Sequence, residues 1–214
     1  MPRSEASSPS TPLKRGKPPN LTENEIVDAA LDVIRAEGLE ALSMRRLSRE
    51  LGRSAMAPYW YVADKQQLLD LVAREVLSEV DLPKPESGPW EDRLRAVVEA
   101  IDARLRQHPG IAEILFARMQ STDRRLIHGI MAILLDAGFS DTDVVLGYAM
   151  IHTYLFGRYQ VVMRADWEEP EEMDDTLARL MPLIPGLGGR DFFRFGVDTI
   201  IDGLRVRLAA TGNG

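Results

Sequence analysis

Arg45, Arg46, Arg49 and Arg53 are followed closely by Tyr59, Trp60, Tyr61 and Lys65 in the run SMRRLSRELGRSAMAPYWYVADK. Guanidinium and ammonium groups bind phosphate oxygens, and phenol and indole rings lie against sugar edges while their polar ends reach the backbone. The chemistry open to this run is non-covalent recognition of a nucleic-acid duplex. Reactive residue types are scarce elsewhere. The chain has no cysteine, which removes thiolate nucleophiles, thiolate zinc sites and disulfides, and fits a reducing cytoplasm. His108, His128 and His152 lack metal-ligand spacing to one another or to a carboxylate motif. No phosphate-cradling GxxxxGK occurs, and no serine sits in a nucleophile elbow. The expectation is therefore a binding protein with no catalytic residues, no metal and no cofactor.

Two short helices around a glycine would position these cations. Ser43 is placed to cap a helix in which Met44, Leu47 and Leu51 recur at spacings of three and four, turning Arg45, Arg46 and Arg49 outward. Gly52 supplies the turn, and Ser54 stands where a second N-cap is wanted. The second helix would carry Ala55, Met56 and Ala57 at its amino end, suited to apolar contact with thymine methyls in a major groove. Pro58 fits easily only in a helix's first turn, so this helix is expected to start late or bend. The same pattern also occurs in ordinary helical cores, where the aromatics would be buried.

The motifs SMRRLSRELG and PYWYVADKQQLLD, preceded by AEGLEALS, resemble the TetR family of bacterial transcription regulators, and most closely its tetracycline-repressor branch. Tyr59, Trp60, Val62, Lys65, Leu68, Leu69 and Asp70 stand where that pattern has them. The resemblance implies that Arg45 contacts a base or phosphate, that Tyr59, Tyr61 and Lys65 anchor phosphates, and that Trp60 is a packing residue. It also implies an all-α fold, with an N-terminal three-helix head joined by a long helix to a ligand-binding and dimerisation body. Alignment on AGFS, Ala137 to Ser140, places Ile114 and Val161 where that branch has a magnesium-ligating histidine and an acidic partner. A metal-free, fairly apolar inducer is implied.

A net charge of −7 at pH 7 opposes DNA binding if taken whole. Its distribution answers this, because Ser43 to Lys65 holds five Lys or Arg against two Asp or Glu. DNA meets the local field. The first 20 residues read as a disordered basic arm, with no apolar core of signal-peptide type. Lys14, Arg15 and Lys17 there either reach an adjacent minor groove or merely solubilise the tail. The uncharged run Val144 to Gly157 falls short of the roughly 20 residues that span a bilayer, so a bacterial cytoplasmic location is expected.

Residues 21–66 form the expected head and 67–214 the body. Thr22 with Glu25 makes a capping box for a first helix burying Ile26, Ala29, Ala30, Val33 and Ile34, ended by Gly38. A longer helix from Asp64 to Val80 links head to body, and Leu82 to Pro89 reads as a loop. Body helices are expected over Trp90–Gln107, onward to Arg118, over Thr122–Ala137, from Ser140 to about Arg164, and over Asp191–Leu208 after the turn-rich PLIPGLGGR. Candidate pocket residues are Phe116, Met119, Met131, Tyr148, His152 and Phe156. His152 is equally open to a structural role. Tyr148, Ile151, Leu155, Phe193, Val197, Ile200 and Leu204 form the expected interface of a homodimer, with Gly196 and Gly203 allowing close approach.

The sequence therefore points to a homodimeric regulator, a repressor in the first instance, that leaves a palindromic operator in double-stranded DNA when a small molecule fills each body. A regulator of this fold controlled by a protein partner, and a helical small-molecule-binding protein whose head has lost DNA affinity, stay open beside it.

Overall fold

The computed structural model describes residues 21–108, 110–117, 123–162 and 173–211. The expected arm with Lys14, Arg15 and Lys17, the pocket candidate Met119, and the end of the helix near Arg164 lie outside these residues. Helix α1 (Glu23–Glu37) opens on the anticipated capping box. The Thr22 hydroxyl accepts from the Glu25 amide at 3.2 Å, and the Glu25 carboxylate accepts from the Thr22 amide at 2.7 Å. Gly38, at φ 85°, ends it in a conformation that costs glycine little, and a 3₁₀ turn (Leu39–Ala41) leads to α2 (Met44–Glu50). Ser43 caps α2 by accepting from the Arg46 amide at 3.1 Å. The apolar stripe of α1 is buried against Leu42, Leu47, Val62 and Leu68.

Helix α3 (Lys65–Ser78) starts at Asp64, whose carboxylate accepts from the Gln67 amide at 2.8 Å. Its last carbonyls are held from the body. Arg125, on α6 (Arg124–Asp136), donates to the carbonyls of Val80 at 2.6 Å and of Leu77 and Ser78 at 3.1 Å. Arg104, on α4 (Trp90–Gln107), donates to the Val76 carbonyl at 3.1 Å and pairs with Glu79 at 2.8 Å. Helix ends leave carbonyls unsatisfied and partly negative, so cations there supply both bonds and charge. The anticipated loop after α3 contains a 3₁₀ turn at Pro85–Ser87. Leu82 lies over Gly129 of α6, where a Cβ would stand 2.4 Å from its Cδ2.

The body continues with α5 (Ile111–Ala117), α6, capped by Asp123, and α7 (Asp141–Val162). Gly138, at φ 95°, and a hydroxyl–carboxylate pair between Ser140 and Asp143 at 2.7 Å separate α6 from α7. Then come α8 (Asp175–Leu180), a 3₁₀ turn (Met181–Gly186) and α9 (Gly189–Thr211). Helix α9 begins before the expected Asp191, because the Asp191 carboxylate accepts from the Gly188 amide at 2.9 Å inside its first turn. Helix α7 packs against α5, α6 and α9. Among the described residues there is no strand, and no helix is long and apolar enough to cross a membrane.

One correction concerns the helices assigned to dimer contact. Tyr148, Ile151, Leu155, Phe193, Val197, Ile200 and Leu204 are all buried within a single chain. They seal α7 and α9 onto the rest of the same body, with Ile151, Leu155, Val197 and Ile200 meeting Leu94 and Val98 of α4. Gly196 likewise serves the chain itself: Tyr154 of α7 lies across it and donates its hydroxyl to the Phe192 carbonyl. The apolar stripe left exposed is different, comprising Leu146 and Met150 on α7 and Phe192, Phe195 and Val206 on α9. Both helices are apolar on opposite sides, and residue types alone do not distinguish the inner stripe from the outer.

Replacing Gly196 with alanine would set a Cβ 1.9 Å from Tyr154 Cζ. The ring must move and leave its carbonyl partner, so G196A is expected to lose about 1–3 kcal/mol, read as a lower urea midpoint with an unchanged slope.

Candidate DNA-binding tip and interior polar site

The segment after Gly52 is not the expected α-helix. Gly52 sits at φ 59°, and residues 55–57 form a turn followed by a 3₁₀ turn at Pro58–Trp60. Pro58 explains this. In an α-helix capped by Ser54, the Ser54 carbonyl would accept from the amide of residue 58, which proline lacks. The Ala57 amide takes that carbonyl instead, at 3.0 Å, and the tighter spacing continues through Trp60 to Ala57 and Tyr61 to Pro58. Ser54 thus contributes a backbone carbonyl where a side-chain cap was expected. Ser48, buried in α2, donates its hydroxyl to the Met44 carbonyl at 2.8 Å with the Ala55 carbonyl at 3.4 Å, holding the turn against α2.

The tip presents some of the expected side chains and withholds others. Ser43, Arg45, Arg49, Arg53, Ser54, Ala55, Met56, Tyr59 and Trp60 are exposed, and Lys65 is half-buried at the start of α3. Trp60, expected to pack, is 55% exposed. Ala57, expected in the groove, is buried and faces the core. Tyr61, expected on a phosphate, is half-buried and donates its hydroxyl to the Leu21 carbonyl, pinning the entry to α1. Arg46 is held by Glu37 at 2.6 Å and Glu50 at 2.8 Å. The hydrogen bond between them raises the Arg46 pKa and lowers that of Glu37, so this cation is already compensated. Arg45, Arg49 and Arg53 have no ion-pair partner among the described residues.

Inside the body, α7 brings three of the pocket candidates onto one side. The His152 ring lies 4.6 Å from that of Phe156 and 6.0 Å from that of Tyr148, all three buried. His152 Nε2 is buried without a hydrogen-bond partner among the described residues, and desolvation lowers its pKa to about 4. The imidazole is therefore neutral at physiological pH and keeps one unused polar atom. Met131 is half-buried on α6. Phe116 stands apart, 43% exposed and packed on Gly157. Ile114, which the resemblance sets in the place of a metal-ligating histidine, is buried.

The charged lattice of the body was not anticipated. Asp102 of α4, 1% exposed, pairs with Arg158 of α7 and Arg106, and accepts from the Tyr159 hydroxyl at 2.8 Å. Arg158 also donates to the Gly189 carbonyl at 3.2 Å and lies over the rings of Tyr159 and Phe193 at 4.4 and 4.9 Å. Burial lowers the Arg158 pKa and raises that of Tyr159. The sequence signal was slight: an aspartate four residues past Val98 on the apolar stripe of α4, and one arginine in an apolar helix.

A cationic, aromatic tip in which a glycine turn joins α2 to a 3₁₀ segment, carried by an all-helical body, defines a DNA-binding regulator. Comparison with known proteins supplies the family. Residues 26–72 match the family model for bacterial regulatory proteins of the tetR family, and residues 82–208 match the tetracyclin repressor-like C-terminal domain. The HTH-type transcriptional repressor DrrR1 of Streptomyces coeruleorubidus is 31% identical over 91% of this chain and 81% of its own. ActR of Streptomyces coelicolor, solved with (S)-DNPA, matches with a TM-score of 0.71 at 27% identity over 87% of this chain and 98% of that one. BioQ, solved with its natural double-stranded DNA operator, gives 0.65 at 27% identity over 86% and 98% of the two chains. The chain belongs to the TetR family of transcriptional regulators, whose members are transcription factors and not enzymes.

The depressed pKa of His152 makes a pH prediction. Between about pH 6.5 and 4 the unfolded chain binds a proton that the folded chain refuses, so this stability is complete above pH 6.5 and lost as pH falls. The loss approaches on the order of 3 kcal/mol. Urea unfolding of wild type and H152F across this range is expected to show a shallower fall for H152F; parallel curves would remove the assignment. His108, also lowered by burial, contributes to both proteins alike.

Proposed function

We propose that the chain is a homodimeric repressor that binds a palindromic operator through two tips and leaves it when a small, uncharged, largely apolar molecule occupies each body. The observation that carries this reading is the cationic and aromatic tip, with Arg45, Met56, Tyr59 and Trp60 exposed within the segment that matches the tetR family model. Residues 1–20 act as the basic arm, 21–66 as the head and 67–214 as the body. Arg45, Tyr59 and Lys65 hold phosphates, and Lys14, Arg15 and Lys17 reach the neighbouring minor groove. Ala55 and Met56 meet thymine methyls, and Trp60 lies on a sugar edge or methyl. Ser43, Arg46 and Tyr61 set the shape of the tip and leave contact to their neighbours.

Two copies associate through the outer stripe of Leu146, Met150, Phe195 and Val206 about a two-fold axis, which sets the heads on half-sites one helical turn or a multiple apart. The ligand presents one hydrogen-bonding group to His152 Nε2 and an apolar surface to Tyr148 and Phe156. A buried polar atom without a partner costs about 1–3 kcal/mol, which such a ligand recovers on binding. The presence of a small molecule in ActR and of operator DNA in BioQ supports these two halves of the reading.

Titration of the chain's own upstream DNA tests it. R45A and K65A are each expected to weaken binding about tenfold and to reduce the salt slope by about one. M56S is expected to keep the salt slope and relax preference at A·T positions. Unchanged affinity in both R45A and K65A would overturn the tip assignment.

A further inference from the structure

The seam between α4 and α9 is closed by ion pairs over part of its length. Arg205 pairs with Glu91 at 3.1 Å and with Asp202 at 2.7 Å, and Arg95 pairs with Asp198 at 2.5 Å. Toward the start of α9 this compensation stops. Arg190 and Arg194, four residues apart and so on one side of the helix, are exposed and have no carboxylate within ion-pair distance among the described residues. Together with Arg95, Glu99, Phe193 and Asp198 they line a groove of about 290 Å³. Glu99 also lacks an ion-pair partner among the described residues.

The floor of the groove is fixed from beneath. Phe193 is buried under the Arg158 guanidinium, and Arg158 holds the Gly189 carbonyl, the residue before Arg190. The backbone carrying both free arginines is therefore anchored to the Asp102 ion pair before any ligand arrives, which lowers the ordering cost of binding. Two planar guanidinium forks on one wall suit paired anionic oxygens. The lone Glu99 carboxylate repels an anion that offers it nothing and accepts from one that carries a hydroxyl or amine.

We propose that the α4–α9 groove binds a small anion with at least two negative charges and a hydrogen-bond donor, its anionic oxygens held by Arg190 and Arg194 and its donor by Glu99. This site shares no residue with the tip or with the His152 cluster, and it stands whether or not the operator reading does.

Calorimetric titration of the full chain with citrate, at ionic strength held constant with sodium chloride, tests the proposal; tricarballylate, which lacks only the hydroxyl, is the comparison. Wild type is expected to bind citrate at one site per chain and tricarballylate several-fold more weakly. R190Q/R194Q is expected to lose about tenfold or more in citrate affinity, and E99L, which leaves no acceptor at that position, to erase the difference between the two acids while keeping both arginines. Equal citrate affinity in wild type and R190Q/R194Q, absence of binding in the millimolar range, or an acid preference unchanged in E99L would each overturn it.

Discussion

Helix α3 begins at the edge of the head and ends bonded to the body. Arg125 and Arg104 reach from α6 and α4 to three of its terminal carbonyls and to that of Val80 just beyond, so the electrostatic demand of a helix C-terminus is met by side chains from another layer. The start of the same helix, at Asp64, follows directly on the exposed rings of Tyr59 and Trp60. One rigid rod thus has its near end at the tip and its far end in the grip of the body. A displacement of α4 or α6 carries α3 with it or breaks several charge-assisted bonds at once. Leu82 seated on Gly129 adds a steric stop at the same joint. A ligand that shifts the body by a small distance has a direct lever on the tip, provided it prefers one of the two arrangements.

At the tip, charge is sorted before DNA is met. Arg46 is consumed by Glu37 and Glu50, leaving Arg45, Arg49 and Arg53 as the cations of α2 and its turn without an ion-pair partner among the described residues. Pro58 shortens the reading segment to a turn and a 3₁₀ stretch, and this swings Ala57 inward while Met56 and Trp60 face out. Fewer side chains then stand at base-reading positions than a full helix would offer. Affinity in such an arrangement leans on phosphates, and sequence preference on a few apolar contacts.

What the sequence revealed followed the range of the interaction involved. The caps at Thr22, Ser43 and Ser140 were legible because both partners lie within three residues of each other. The late start of the reading segment was foreshadowed by Pro58, although the loss of α-helix there was not, because it depends on which carbonyl the missing amide would have served. The Asp102–Arg158 pair was invisible because its members are 56 positions apart and each resembles an ordinary surface charge. The mistaken stripe on α7 and α9 has a simpler cause: a helix buried on one side and sticky on the other gives no periodic signal to tell the two sides apart.

The buried Asp102–Arg158 pair also governs how the body is able to move. Two charges with so little water around them resist intermediate separation, since parting them by an ångström or two leaves the Arg158 guanidinium buried without its counterion, while Asp102 keeps only Arg106 and the Tyr159 hydroxyl. The free-energy surface along that coordinate is steep, so α4, α7 and α9 travel as one block. A rearrangement of this interior is then a jump between well-separated packings, a toggle in place of a dial.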